Sequence, residues 1–62
     1  MQPNELREIR REAGMSQAEL AEAIGMSRVT IGLMERGEAP IEKRTELAVR
    51  YVVYAASIKR NA

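Results

Sequence analysis

Residues 14–37, GMSQAELAEAIGMSRVTIGLMERG, decide the fold of this 62-residue chain. Ser16 and Glu19 spell S-x-x-E, the capping box in which a hydroxyl and a carboxylate reciprocally satisfy orphan backbone N–H groups, so a helix starts at Ser16. Leu20, Ala21 and Ile24 then recur at helical spacing and face inward. Gly25 ends that helix, and Ser27 is an N-cap candidate only two residues later. The next helix, SRVTIGLMER, must therefore turn sharply away before Gly37 closes it. Two helices joined so closely need a small residue where they cross, a residue tolerant of positive φ in the turn, and apolar residues on both inner faces. Ala21 and Gly25 meet the first two needs, and Leu20, Ile24, Met26, Ile31 and Met34 form the apolar set.

The second of these helices carries an unusual outer face. At about 100° per residue, Thr30, Ile31, Met34 and Glu35 gather on the side toward the core, while Arg28, Val29, Gly32, Leu33 and Arg36 fill the other. A solvated face would carry Glu, Lys and Gln instead. Gly32 alone costs about 1 kcal/mol against alanine in an exposed helix interior. Close approach to a partner surface would justify it.

On the N-terminal side, residues from 4 or 5 to 13 form a helix with Leu6, Ile9 and Ala13 as a narrow apolar stripe and Gly14 as its stop. On the C-terminal side, residues 41 to 58 read as one long helix, because no glycine or proline interrupts them. The class is all-α, and an aromatic content of 3% leaves the core to Leu, Ile, Val, Met and Ala. In the last helix, Leu47, Ala48, Tyr51, Val52, Ala55 and Ile58 are expected to cover the other three. Val49, Val53 and Ala56 extend the apolar surface beyond that arc. A helix apolar over roughly two thirds of its circumference needs two neighbours, so these three residues are expected to meet a second copy of the chain.

Composition removes whole classes of function. With no cysteine and no histidine, disulfides, thiolate chemistry, Cys/His zinc sites and imidazole catalysis are excluded, and no metal or cofactor is expected. No carboxylate or lysine has a legible activating neighbour, so no catalytic residue is named. Ten basic against nine acidic residues give a net charge of +1, far from the basic excess of a non-specific nucleic-acid binder. Any nucleic-acid contact would rest on a few placed groups. A chain this short is one domain, residues 1–62, burying only about 60% of its unfolded surface. Without a long apolar run or a signal-peptide pattern, it is expected to work in the cytoplasm.

The stretch quoted above resembles the Cro and repressor type of helix-turn-helix domain, also called xenobiotic-response-element type regulators, and the likeness extends from about residue 5 to 37. It implies a lambda-repressor-like domain of four or five helices. In it the helix from Ser27 to Arg36 enters the DNA major groove while the start of the preceding helix sits on the phosphate backbone. Arg28, Val29, Gly32 and Leu33 then fall where such domains read bases: the aliphatics against thymine methyl groups, Arg28 toward guanine O6 and N7 or a phosphate. Ser16, Gln17, Ser27, Thr30, Arg36, Lys43 and Arg44 fall where phosphates are met. Members of the family also pair an arginine of the first helix with the glutamate ending the recognition helix, here Arg10 with Glu35, as a structural ion pair. Where relatives carry a more basic stretch after Gly37, this chain has Glu38, Glu42 and Glu46.

The expected function is that of a homodimeric repressor of the phage or mobile-element kind, occupying an inverted-repeat promoter operator of double-stranded DNA. The alternative is a protein-interaction adaptor, gripping a partner through Val29 and Leu33 as an antitoxin grips a toxin.

Overall fold

Four helices form among residues 1–61, which are those that the computed structural model of the protein describes: α1 (Pro3–Glu12), α2 (Gln17–Ile24), α3 (Arg28–Glu35) and α4 (Lys43–Asn61). Helix α1 begins a residue earlier than periodicity suggests. Pro3 occupies its first position, where the missing N–H is one that would lack a helical partner anyway. Helix α4 begins two residues later, after Ile41 has packed against the core from the preceding loop.

The capping box of α2 forms as its spacing requires. The Glu19 N–H donates to Ser16 Oγ at 3.0 Å, and the Ser16 N–H donates to Glu19 Oε1 at 2.7 Å. These bonds, the backbone one foremost, hold the Glu19 carboxyl below its usual range. Gly25 caps the helix in the left-handed region, φ 73°, ψ 34°. The chain then reverses: the Met26 N–H reaches back to the Ala21 carbonyl at 2.8 Å. No neighbouring atom lies within 4 Å of where a Gly25 Cβ would stand, so backbone conformation, not space, selects glycine. Two residues on, Ser27 caps α3 by accepting the Thr30 N–H at 3.1 Å.

The core lies where the helices meet. Leu6 of α1, Leu20 and Ala21 of α2, Ile31 and Met34 of α3 and Val49 of α4 are buried together, flanked by the partly buried Ile9, Met15, Ile24, Met26, Val52 and Val53. Ala13 is buried at the end of α1. The inner faces of α2 and α3 are thus those their periodicity indicates.

Helix α4 is rotated from the expected orientation. Val49 is fully buried and Thr45 nearly so, with Val52, Val53 and Ala56 half-buried along the same side; Leu47, Tyr51, Tyr54 and Ile58 are exposed. Val49 is therefore core and cannot meet a second copy, and Val53 packs against that core too. Leu47, Tyr51 and Ile58, expected inside, face out. The reason is one of size and polarity. Short β-branched and small side chains let α4 approach α2 closely, whereas a buried tyrosine hydroxyl would need a partner that this apolar core does not offer.

Among the described residues no helix is long and apolar enough to cross a membrane.

Candidate functional site

A single carboxylate ties the first three helices together. Glu35, the last residue of α3, accepts from Arg10 of α1 twice, Nε to Oε2 at 2.6 Å and Nη2 to Oε1 at 3.0 Å. Gln17 of α2 donates its Nε2 to the same Oε1 at 3.1 Å. Arg10 also donates to the Met15 carbonyl at 2.9 Å, and Arg7 to the Glu35 carbonyl at 3.2 Å. Arg10 is 8% exposed and Glu35 4%, so this is a buried, bidentate pair and not a surface contact. Burial pushes the Glu35 carboxyl upward. The hydrogen bonds from Arg10 and Gln17 and the charges of Arg10 and Arg7 outweigh it and hold the group below its usual range. Reciprocally, the hydrogen bond to Glu35 raises the Arg10 guanidinium. No buried side-chain polar atom among the described residues lacks a partner.

The pairing of Arg10 with Glu35 is thus present, and it extends further than the sequence indicates. Arg7 and Gln17 join it. Arg7 stands three residues before Arg10, on the same face of α1, which is the one sequence signal that points to it. Through Gln17 the N-terminus of α2 is linked to the C-terminus of α3, so the angle between the two helices is held by hydrogen bonds as well as by packing.

On the outer side of α3, Arg28, Val29 and Arg36 are exposed, Leu33 is half-buried and Gly32 is buried beneath its neighbours. Gln17, Arg28, Val29, Gly32 and Arg36 line a concavity of about 190 Å³. A Cβ on Gly32 would stand 3.3 Å from Arg36 Nη1 and 3.8 and 3.9 Å from the amide oxygen and nitrogen of Gln17. The space that glycine leaves is therefore where Gln17 and Arg36 converge. Two cationic side chains, an amide and an exposed valine around a bare stretch of helix suit an anionic, groove-shaped surface read at short range.

The other expected contacts divide. Ser27 and Thr30 share a hydroxyl–hydroxyl hydrogen bond of 2.9 Å beside the start of α3. Ser16 and Gln17 open α2, where unpaired N–H groups and the helix dipole favour an anion. Lys43 and Arg44 lie at the start of α4, outside the concavity, and Arg44 flanks a separate groove with Ile24, Gly25 and Met26. Two of these cations are already engaged by the loop acids: Arg36 Nε with Glu38 Oε2 at 2.7 Å, and Arg44 Nη2 with Glu42 Oε1 at 3.6 Å.

Residues 6–48, more than half of the chain, match a family model described as helix-turn-helix. No curated protein and no solved structure is similar enough to count as a match.

Proposed function

Because this chain belongs to the Cro/repressor type of the helix-turn-helix family, and so is a DNA-binding transcription regulator, we propose that it is a homodimeric repressor. In this reading the whole chain acts in the cytoplasm as one DNA-binding domain and occludes a promoter by occupying an inverted-repeat operator. Helix α3 lies in the major groove with Arg28, Val29 and the Gly32 concavity toward base edges, and Leu33 at the border of that face. The N-terminus of α2, with Ser16 and Gln17, sits on one phosphate run, and Ser27, Thr30, Arg36, Lys43 and Arg44 meet neighbouring phosphates. No enzymatic role is proposed.

The observation that carries this reading is the pairing of a bare, cation-flanked outer face on α3 with a buried Arg10–Glu35–Gln17 network behind it. The network holds α3 rigidly enough for side chains to be aimed. Selection of random DNA fragments with purified protein tests it. A shared motif should emerge, and affinity for it should fall linearly in log–log terms with salt at a slope of about −0.9 per phosphate neutralised. Failure to enrich any motif sinks the reading. The exposed Val29 favours the adaptor reading as the second choice, and binding to a protein partner that is insensitive to salt would move the assignment there.

A further inference from the structure

The face of α4 turned away from the core carries Leu47 (56% exposed), Tyr51 (72%), Tyr54 (64%) and Ile58 (49%). Their spacing is four, three, four. On a helix these positions form one stripe, on the side opposite Thr45, Val49, Val52 and Ala56. No charged residue falls within it. Ala48 and Ala55 border it on one side, Arg50 and Ser57 on the other. At 19 residues α4 is about 28 Å long, against about 12 Å for each of the eight-residue helices α2 and α3. The molecule extends 36 Å in one direction and 18 Å in the others.

We propose that this stripe is the dimer seam, packing against the same stripe of a second copy of the chain. The proposal deepens the homodimer of the proposed function and rests on that reading. A stripe of period 3.5 is complementary to another stripe of period 3.5, and α4 itself supplies one. Small Ala48 and Ala55 along one border let two such helices approach, while tyrosine hydroxyls at the rim keep contact with water. Area agrees. The four side chains present roughly 450 Å² per copy, so a pair can bury at most roughly 900 Å². The flanking alanines and the aliphatic stem of Arg50 bring that ceiling to about 1,200 Å², the low end of the range for a specific protein interface. DNA is a poor occupant, because an apolar stripe offers phosphates nothing.

Sedimentation velocity of the full chain from 1 to 100 μM, with Tyr51→Glu and Val29→Glu beside the parent, tests the seam. The parent and Val29→Glu should sediment as dimers. Tyr51→Glu places two uncompensated carboxylates in the seam, so its dissociation constant should rise at least about a hundredfold. Its helical circular dichroism should stay close to the parent's, since Tyr51 is outside the core. In case Tyr51→Glu fails to fold, air oxidation of Ile58→Cys gives a second readout. The chain has no other cysteine, so a parallel seam links Ile58→Cys to itself and an antiparallel one links it to Leu47→Cys, while Arg11→Cys on α1 stays unlinked. A parent that is monomeric at 100 μM overturns the seam, as does a dimer that survives Tyr51→Glu and leaves Ile58→Cys unlinked both to itself and to Leu47→Cys. Anisotropy on selected DNA separates the two readings: a seam-dependent dimer that enriches no DNA keeps the seam and rejects the regulator, and a monomer that binds one half-site does the reverse.

Discussion

Gly32→Ala should stabilise the domain and impair DNA binding, two effects of opposite sign from one methyl group. In the middle of α3, replacing glycine by alanine gains about 1 kcal/mol of helix propensity. The new Cβ meets no backbone outside its own helix. Its closest neighbour is Arg36 Nη1 at 3.3 Å, the far end of an exposed and flexible side chain, and its contacts with the Gln17 amide at 3.8 and 3.9 Å are ordinary packing distances. Shifting Arg36 weakens at most a surface contact with Glu38, which contributes no more than about 1 kcal/mol. A net gain of about 0.5 kcal/mol follows, or a melting temperature higher by roughly 2–4 °C for a domain of this size. The same methyl fills the floor of the concavity and pushes Arg36 off its position. If α3 reads the groove closely there, the loss should match one base contact, about 1–3 kcal/mol, or roughly fivefold to 150-fold in affinity. Thermal circular dichroism and fluorescence anisotropy on the selected operator measure both. An alanine variant that binds as tightly as the parent would refute the close approach, and one that melts lower would refute the steric reasoning.

Four further outcomes are expected. Arg28→Ala should relax preference at one base-pair position by about 1–3 kcal/mol with the fold intact, as read by a second round of selection; an equal loss on operator and random DNA would make Arg28 a phosphate contact. Arg10→Met leaves the Glu35 carboxylate buried without its main partner and should cost about 3–5 kcal/mol, much of the stability of so small a domain, whereas Arg10→Met with Glu35→Leu should recover most of it in urea titrations. Because Glu35 titrates lower in the folded chain than its ordinary value of 4.5, its contribution is fully present above that value and disappears as pH falls through the lower folded value, so the parent should lose more stability than the double variant on acidification below about pH 4.5. Glu38→Gln removes the loop carboxylate that competes with phosphate for Arg36; it should tighten operator binding up to about fivefold at low salt, with little change in melting, and a weaker or unchanged affinity would contradict that competition.

How much of this was legible in the sequence depended on whether a local rule had one solution. The capping box at Ser16, the turn at Gly25 and the cap at Ser27 are satisfied by atoms within a few residues, so spacing alone specified them, and the inner faces of α2 and α3 followed. The ion pair of Arg10 with Glu35 spans twenty-five residues and came only through family resemblance; nothing local announces its depth or that Gln17 converges on the same glutamate, and for Arg7 the one local signal is its place on the Arg10 face of α1. Individual DNA contacts are less legible again, because Arg36 and Arg44 find acids of their own chain in the loop after α3.

Helix α4 shows where pattern reading had two answers. Taken at about 100° per residue, Thr45, Val49, Val52 and Ala56 point one way and Leu47, Tyr51, Tyr54 and Ile58 the opposite way, and both rows are almost free of charge. Periodicity identifies two apolar faces without saying which one the chain keeps for itself. Larger side chains argue for the second row on buried area, since two tyrosines and two γ-branched or δ-extended aliphatics remove more surface from water than valines do. Closeness of approach decides for the first. The core that α4 covers includes the small Ala21 of α2 and takes in Val49, and this apolar cluster has no partner for a phenolic hydroxyl. The face with more area to bury is thereby left outside the core, and the row at Leu47, Tyr51, Tyr54 and Ile58 is one contiguous stripe, not a scatter of single surface hydrophobes.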